Sequence, residues 1–373
     1  MMMTMAVSAI TITAAADEPL KSGLNPADMN TSVRAGDDFY EYACGGWMKA
    51  NPLPPAYSRF GSFDRLGEDN NKRINDILKE LESNTYTRGT IEQKLSDYYK
   101  LAMDSARREQ EGIQPVMPLI RKLEAAKTIK QLFGVQLEMA RYGDSEFYRA
   151  GMGADEKNAS QNILSVNQGG LTLGQKDYYL ETDEATTKIR EAYKKHIVRM
   201  FQLFGFSKGQ ATKKMQNVFR LELELAKVSK SRTELRDPQA NYNKTTLAEF
   251  SAKYPNLKLE EVMNAQGLRS EYMQELVVGQ PAFMAGADAL LAKMKPAEYR
   301  DYMEWGVIVS AASYLNDEVR EANFDFFGRT MTGRKEDHPL WRRATARCRV
   351  PWGRPWVAST CRNISPPPRR SAC

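Results

Sequence analysis

The chain has 373 residues, 42% hydrophobic and 10% aromatic, a globular composition that excludes a disordered or collagen-like protein. Its net charge of +6 comes from 53 Lys and Arg against 47 Asp and Glu. Six arginines (Arg347, Arg349, Arg354, Arg362, Arg369, Arg370) lie after residue 343, where there is no acid. The remainder is neutral, which excludes the basic folded face that nucleic-acid binding needs; no nucleic-acid partner is expected.

From the N-terminus, residues 5–16 form an apolar run ending in Ala14-Ala15-Ala16, like the h-region and cleavage site of a secretory signal. The expectation is a signal-like segment over 1–16, a linker over 17–36, and export to a secreted or periplasmic, cell-envelope location. The run is shorter than the ~20 residues of a membrane-spanning helix. No other segment qualifies, so no membrane span is expected in the mature chain. Residues 38–44 start a helix that Gly45-Gly46 should end, since glycine tolerates the conformations of a helix C-terminus. Cys44, alone outside the tail, reads as a small buried hydrophobe and not a nucleophile.

A proline connector at 51–55 leads into helical periodicity from Asp64, with Leu66, Ile74, Ile77, Leu78 and Leu81 on one face. Thr90-x-x-Gln93 has capping-box spacing and opens a helix through Leu95, Tyr98, Tyr99 and Met103. Thr128-x-x-Gln131 opens another through Leu132, Val135 and Met139, closed by Gly143. Short apolar runs at 147–152 and 163–166 between turn residues predict a small β hairpin. Helices follow at 187–206 and 212–230, with shorter ones at 246–253, 260–264 and 270–276. A long helix runs from Pro296 through Tyr302, Trp305 and Ile308 to Leu315. The fold class is mainly α, helical and bundle-like, with one small hairpin.

Five ordered blocks carry a family resemblance. They are Asp37-Asp-Phe-Tyr-Glu-Tyr-Ala-Cys-Gly-Gly-Trp47, Ser58-Arg-Phe-Gly-Ser-Phe-Asp64, Gly170-Leu-Thr-Leu-Gly-Gln-Lys-Asp-Tyr-Tyr179, Arg236-Asp-Pro-Gln-Ala-Asn-Tyr-Asn-Lys-Thr-Thr-Leu247 and Asn323-Phe-Asp-Phe-Phe-Gly328. Through them the chain resembles the N-terminal part of the neprilysin and endothelin-converting enzyme family of zinc metallopeptidases. In the third block Gly174 and Lys176 stand where the family has Pro and Arg.

The resemblance implies a two-lobed helical shell around a peptide-sized chamber, with zinc held by His-Glu-x-x-His and a later Glu in the C-terminal half. Peptides or small proteins are the implied substrates of the full-length form. This chain has only His196 and His338, which cannot make that motif, because catalytic zinc takes three protein ligands. Both are read as solvated or satisfied within the core. No catalytic residue, metal ligand or cofactor is assigned to this chain; zinc belongs to the full-length family. The family's substrate-facing arginine corresponds to Arg59, whose guanidinium fork suits a free carboxylate; a structural ion pair is the other reading. Gly67 stands where some relatives carry a second arginine. Glu222 and Glu224, two apart on a helix, point to different faces and read as a solvated surface. Asn30-Thr-Ser and Asn158-Ala-Ser match a glycosylation acceptor pattern.

The domain reading is a neprilysin-like N-terminal domain over 37–343 and an off-frame tail over 344–373. Read one frame over, Trp352-Gly353 and Trp356-Val357 each force glycine, because tryptophan has a single codon. Those two glycines fall four apart, as the family pattern requires. The expectation is therefore a one-base slip near residues 344–347 and a chain lacking the zinc-binding half, inactive on its own. The alternative is a non-catalytic helical peptide-binding or interaction fragment.

Overall fold

In a computed structural model, the described residues are 25–141 and 147–349. The signal-like segment, Gly143 and the chain after 349 lie outside them. Two compact units divide at Pro54 and Pro55.

In the first unit, a 3₁₀ turn over Pro26–Asp28 precedes α1 (Phe39–Ala50). Asp38 caps α1, its carboxylate accepting from the Glu41 amide at 2.9 Å. Contrary to expectation, Gly45 and Gly46 do not end the helix, which runs one turn past them. Their role is close approach. A Cβ on Gly46 would strike the Ala27 carbonyl, and one on Gly45 would strike the Glu41 carboxylate and Asn30. The helix therefore accepts two poor helix formers so that the preceding turn can lie against it. Cys44 is half-buried, not fully buried as expected. The Asn30 amide is engaged, donating to Glu41 at 2.7 Å.

The second unit opens with α2 (Ser62–Ser83), α3 (Ile91–Met103), α4 (Ser105–Glu111), α5 (Met117–Ala125) and α6 (Ile129–Ala140). The face of α2 is as expected at Ile74, Ile77, Leu78 and Leu81, all buried. Leu66 is the exception, 65% exposed beside Phe63 at 87%. The apolar stripe continues toward the N-terminus of α2, but no described element covers it there. Thr128 and Gln131 form the expected capping box. Thr90 caps α3, while Gln93 turns instead to the Gly89 amide at 2.9 Å.

The hairpin is β1 (Tyr148–Asp155) with β2 (Asn158–Gln168), antiparallel from Tyr148↔Gln168 onward. Then come α7 (Asp177–Leu180), α8 (Glu184–Leu203), α9 (Lys208–Val228), β3 (Asn243–Thr246), α10 (Leu247–Lys253), α11 (Leu259–Ala265) and β4 (Glu275–Val278). The unit closes with α12 (Pro281–Lys293), α13 (Pro296–Ala312), α14 (Asp317–Phe324) and α15 (Leu340–Arg349).

The sheet is larger than the hairpin expected. β4 joins β2 in parallel and β3 joins β4, giving the order β1-β2-β4-β3. The stretch 270–276, expected as helix, holds only a 3₁₀ turn before β4 begins. Leu276 and Val278 bury into the core beside Leu164 and Val166, and this tertiary pairing overrides a weak local preference.

Two cores result. The larger lies between α5, α6, α8, α9, α12, α13 and one face of the sheet, with Trp305, Tyr193, Phe201 and Phe283 at its centre. The smaller joins α2, α3 and α15, where Ala344 and Cys348, one turn apart, are fully buried beside Leu78, Leu95 and Tyr99. The last of these helices therefore crosses residue 343, where the off-frame tail was expected to begin.

Candidate functional site

Arg59 sits in a non-helical stretch two residues before Gly61, the N-cap of α2. It is exposed and has no hydrogen-bond or ion-pair partner among the described residues. Its neighbours are not free. Tyr57 donates its hydroxyl to Glu68 on α2, and Arg342 Nε donates to the same Glu68 oxygen at 2.7 Å. The Tyr57 ring meets Phe60 and His338 edge-on, each at 5.1 Å between centroids. The Pro55 carbonyl accepts from the Lys335 amide at 2.9 Å.

The electrostatics match that geometry. Burial, then the Glu68 hydrogen bond and charge, push the Tyr57 hydroxyl up to about 12. Burial would raise Glu68, but hydrogen bonds from Tyr57 and Arg342 outweigh it and hold the carboxyl below its ordinary value. Glu68 thus stays ionised and clamps the stretch that carries Arg59, leaving one guanidinium held out from a fixed base. Gly67, on the first turns of α2, has open space where a side chain would be.

His196 is buried in α8, stacked on Phe326 at 5.0 Å and edge-on to Trp305 at 5.7 Å. Burial and then the Arg199 charge lower its pKa to about 3, so it is neutral. His338 is half-buried against Tyr57, and burial followed by the Arg342 charge lowers it as well. The two histidines do not converge. Among the described residues no three His, Cys, Asp or Glu side chains form a group that could hold a metal ion. Among the described residues, the donor set does not fit a zinc site.

Glu222 overturns the solvated reading given to it; Glu224, on the other face, is about 41% exposed. The Glu222 carboxyl is fully buried and accepts from Tyr179 at 2.9 Å, Tyr193 at 2.8 Å and the Thr172 hydroxyl at 2.5 Å. Trp305 Nε1 donates to the same Tyr193 and Thr172 oxygens, at 3.0 and 3.1 Å. Burial raises Glu222 to about 7 in spite of these donors. One carboxyl thereby ties the loop at 170–174 to α7, α8 and α9. The signal was present in the sequence: Leu221, Glu222 and Leu225 are spaced i, i+1, i+4 on the face of α9 that carries the apolar residues.

Among the described residues, the cavities on this unit include two of several hundred Å³. One of about 410 Å³ has apolar walls from Tyr98, Leu101, Val116 and Leu315, with Arg108 and Arg347 among its lining. The other, about 520 Å³, lies on the sheet. Arg59 lines neither.

A sequence profile of peptidase family M13 matches residues 35–352. Endothelin-converting enzyme 1 of Cavia porcellus is 29% identical over 323 residues, covering 84% of this chain and 42% of the relative. Neprilysin of Mus musculus is 26% identical over 351 residues, covering 85% and 45%. The chain thus spans less than half the length of these relatives. The structure of the Mycobacterium tuberculosis zinc metalloprotease Zmp1 in complex with inhibitor matches with a TM-score of 0.86, at 23% identity, over 94% of this chain and 53% of that one. PepO from Lactobacillus rhamnosis HN001 matches at 0.77 and 20% identity, over 91% and 53%. These structures share the fold.

Proposed function

The chain belongs to peptidase family M13, and we propose that it supplies the substrate-facing N-terminal domain of an exported zinc metalloendopeptidase. The zinc ligands of such an enzyme would come from outside these residues, so no bond-breaking step is assigned to side chains of this chain. Its own contribution is recognition. Arg59 receives the free carboxylate of a peptide, and the Tyr57–Glu68–Arg342 clamp keeps that guanidinium in place. The observation that carries this reading is an exposed arginine without a partner among the described residues, on a stretch held by Tyr57 and Pro55. A guanidinium and a carboxylate make two parallel charge-assisted hydrogen bonds. At an exposed site the pair contributes about 1 kcal/mol, or roughly fivefold in affinity.

The test is a titration of the purified chain with one labelled peptide carrying either a free C-terminal carboxylate or an amide. The acid should bind several-fold more tightly, and Arg59→Ala should erase the difference while Arg59→Lys keeps part of it. Equal affinities, or a preference that survives Arg59→Ala, would overturn the assignment. Zinc retained at one equivalent after dialysis would overturn the statement that the ligands lie elsewhere.

A non-catalytic peptide-binding or interaction fragment is the second reading. It draws support from the larger core, which is closed among the chain's own side chains around Trp305. A single cooperative melt and a monodisperse profile without zinc would favour it; aggregation would count against it.

A further inference from the structure

The face of the sheet turned away from the core forms a trough whose construction Arg59 and its clamp do not explain. Strand register places Arg149 opposite Asn167, Gly151 opposite Ser165 and Gly153 opposite Ile163. These residues share one face, where Ile163 alone of them is buried, while Tyr148, Leu164 and Val166 on the other face are all buried. Gly151 and Gly153 leave a lane with no side chains and nothing near where a Cβ would stand. Glycine inside a strand commonly marks close approach by another backbone. Beyond Leu164, toward Asn158, β2 pairs with no described strand on its β4 side.

The wall opposite the lane is the segment 235–242, and it is prebuilt. Tyr242 donates its hydroxyl to Asp155 at 2.9 Å, and Lys157 Nζ lies 4.4 Å over its ring, latching the hairpin tip across. At the other end Gln280 accepts from the Gln168 amide at 2.8 Å and donates to Asn241 at 3.1 Å. The enclosed volume is about 520 Å³, within the usual size of a ligand site.

Four polar side chains lining it have no partner among the described residues: Arg149, Arg236, Ser165 and Asn167. Glu156 is the single acid in the lining, so the trough is cationic by one charge. Two guanidinia together with a hydroxyl and an amide, none of them partnered among the described residues, suit a peptide with acidic side chains, not an apolar ligand.

We propose that this trough is a second peptide site, taking an extended acidic segment of roughly five residues, the run from Ile163 to Asn167 at about 3.3 Å per residue. The main chain lies along the glycine lane. Its acidic side chains reach Arg149 and Arg236, and Ser165 and Asn167 serve its peptide groups. This goes beyond the Arg59 reading, shares no residue with it and does not depend on it.

The experiment is fluorescence anisotropy on the full chain with a fluorescein-labelled Gly-Ser-Gly-Glu-Glu peptide. Its C-terminus is amidated so that it offers Arg59 no terminal carboxylate. The control replaces both glutamates with glutamines. The Glu probe should bind at least roughly tenfold more tightly than the Gln probe, and Arg149→Gln with Arg236→Gln should remove that difference. Gly151→Val should weaken both probes by a similar factor with an unchanged melting temperature, since the added side chain meets no protein atom. Arg59→Ala should change neither titration. No saturation of the Glu probe below about 1 mM, equal affinity for the two probes, or full binding by the double variant would each overturn the proposal.

Discussion

Replacing Glu222 by glutamine isolates one buried carboxyl from every other titrating group. In the folded chain that carboxyl is held at about 7 by burial, against an ordinary value of 4.5. The native state therefore keeps a proton that the unfolded chain releases. With the folded value raised, the stability this group contributes is fully present below about 4.5 and is lost as pH climbs through about 7. At about 1.4 kcal/mol per pH unit, the interval amounts to roughly 3 kcal/mol. No solvent discount applies, because the side chain is 0% exposed.

Glutamine keeps the shape and can exchange hydrogen bonds with Tyr179, Tyr193 and Thr172, whose hydroxyls can rotate. The assay is urea unfolding of wild type and Glu222→Gln from about pH 4.5 to about pH 8, followed by circular dichroism and tryptophan fluorescence. The two should differ little at the acid end, and the variant should gain roughly 3 kcal/mol on wild type by the alkaline end. Curves that run parallel across the window would refute the reasoning, because the carboxyl would then be ionised in both states throughout.

His196 works in the opposite sense: with its folded value lowered to about 3 by burial, its contribution is present above its ordinary 6.5 and is lost as pH falls through about 3. His196→Leu should therefore flatten the acid side of the stability profile, gaining about 3 kcal/mol on wild type between about pH 6.5 and pH 4 in the same unfolding assay. Lys214 lies between two buried acids, donating to Asp301 at 2.9 Å and also to Glu304. Lys214→Met should cost about 3–5 kcal/mol, because two buried carboxyls lose their nearer cation and keep only Arg300, at 3.6 and 3.8 Å, and adding Asp301→Asn with Glu304→Gln should recover most of it in urea melts. A cost below about 1 kcal/mol would show that water already solvates the cluster.

Much of this protein follows from its sequence because the relevant signals act within one or two helical turns. The capping box at Thr128 and Gln131, the buried face from Ile74 to Leu81 and the hairpin at 148–168 are of this kind. The ordered blocks from Asp37 to Gly328 identified the family on the same local basis. Where a partner lay far along the chain, the tertiary structure decided. β4 is a strand because it pairs with β2 more than a hundred residues earlier, not through its own four residues. Gly45 and Gly46 stay helical because residues 27–30 pack against them. Glu222 is buried because Thr172, Tyr179 and Tyr193, each at least 29 residues away, supply donors that make burial tolerable. Sequence periodicity shows which residues share a face, but what covers that face is decided by long-range packing, and so are the ionisation of Glu222 and the clamp beneath Arg59.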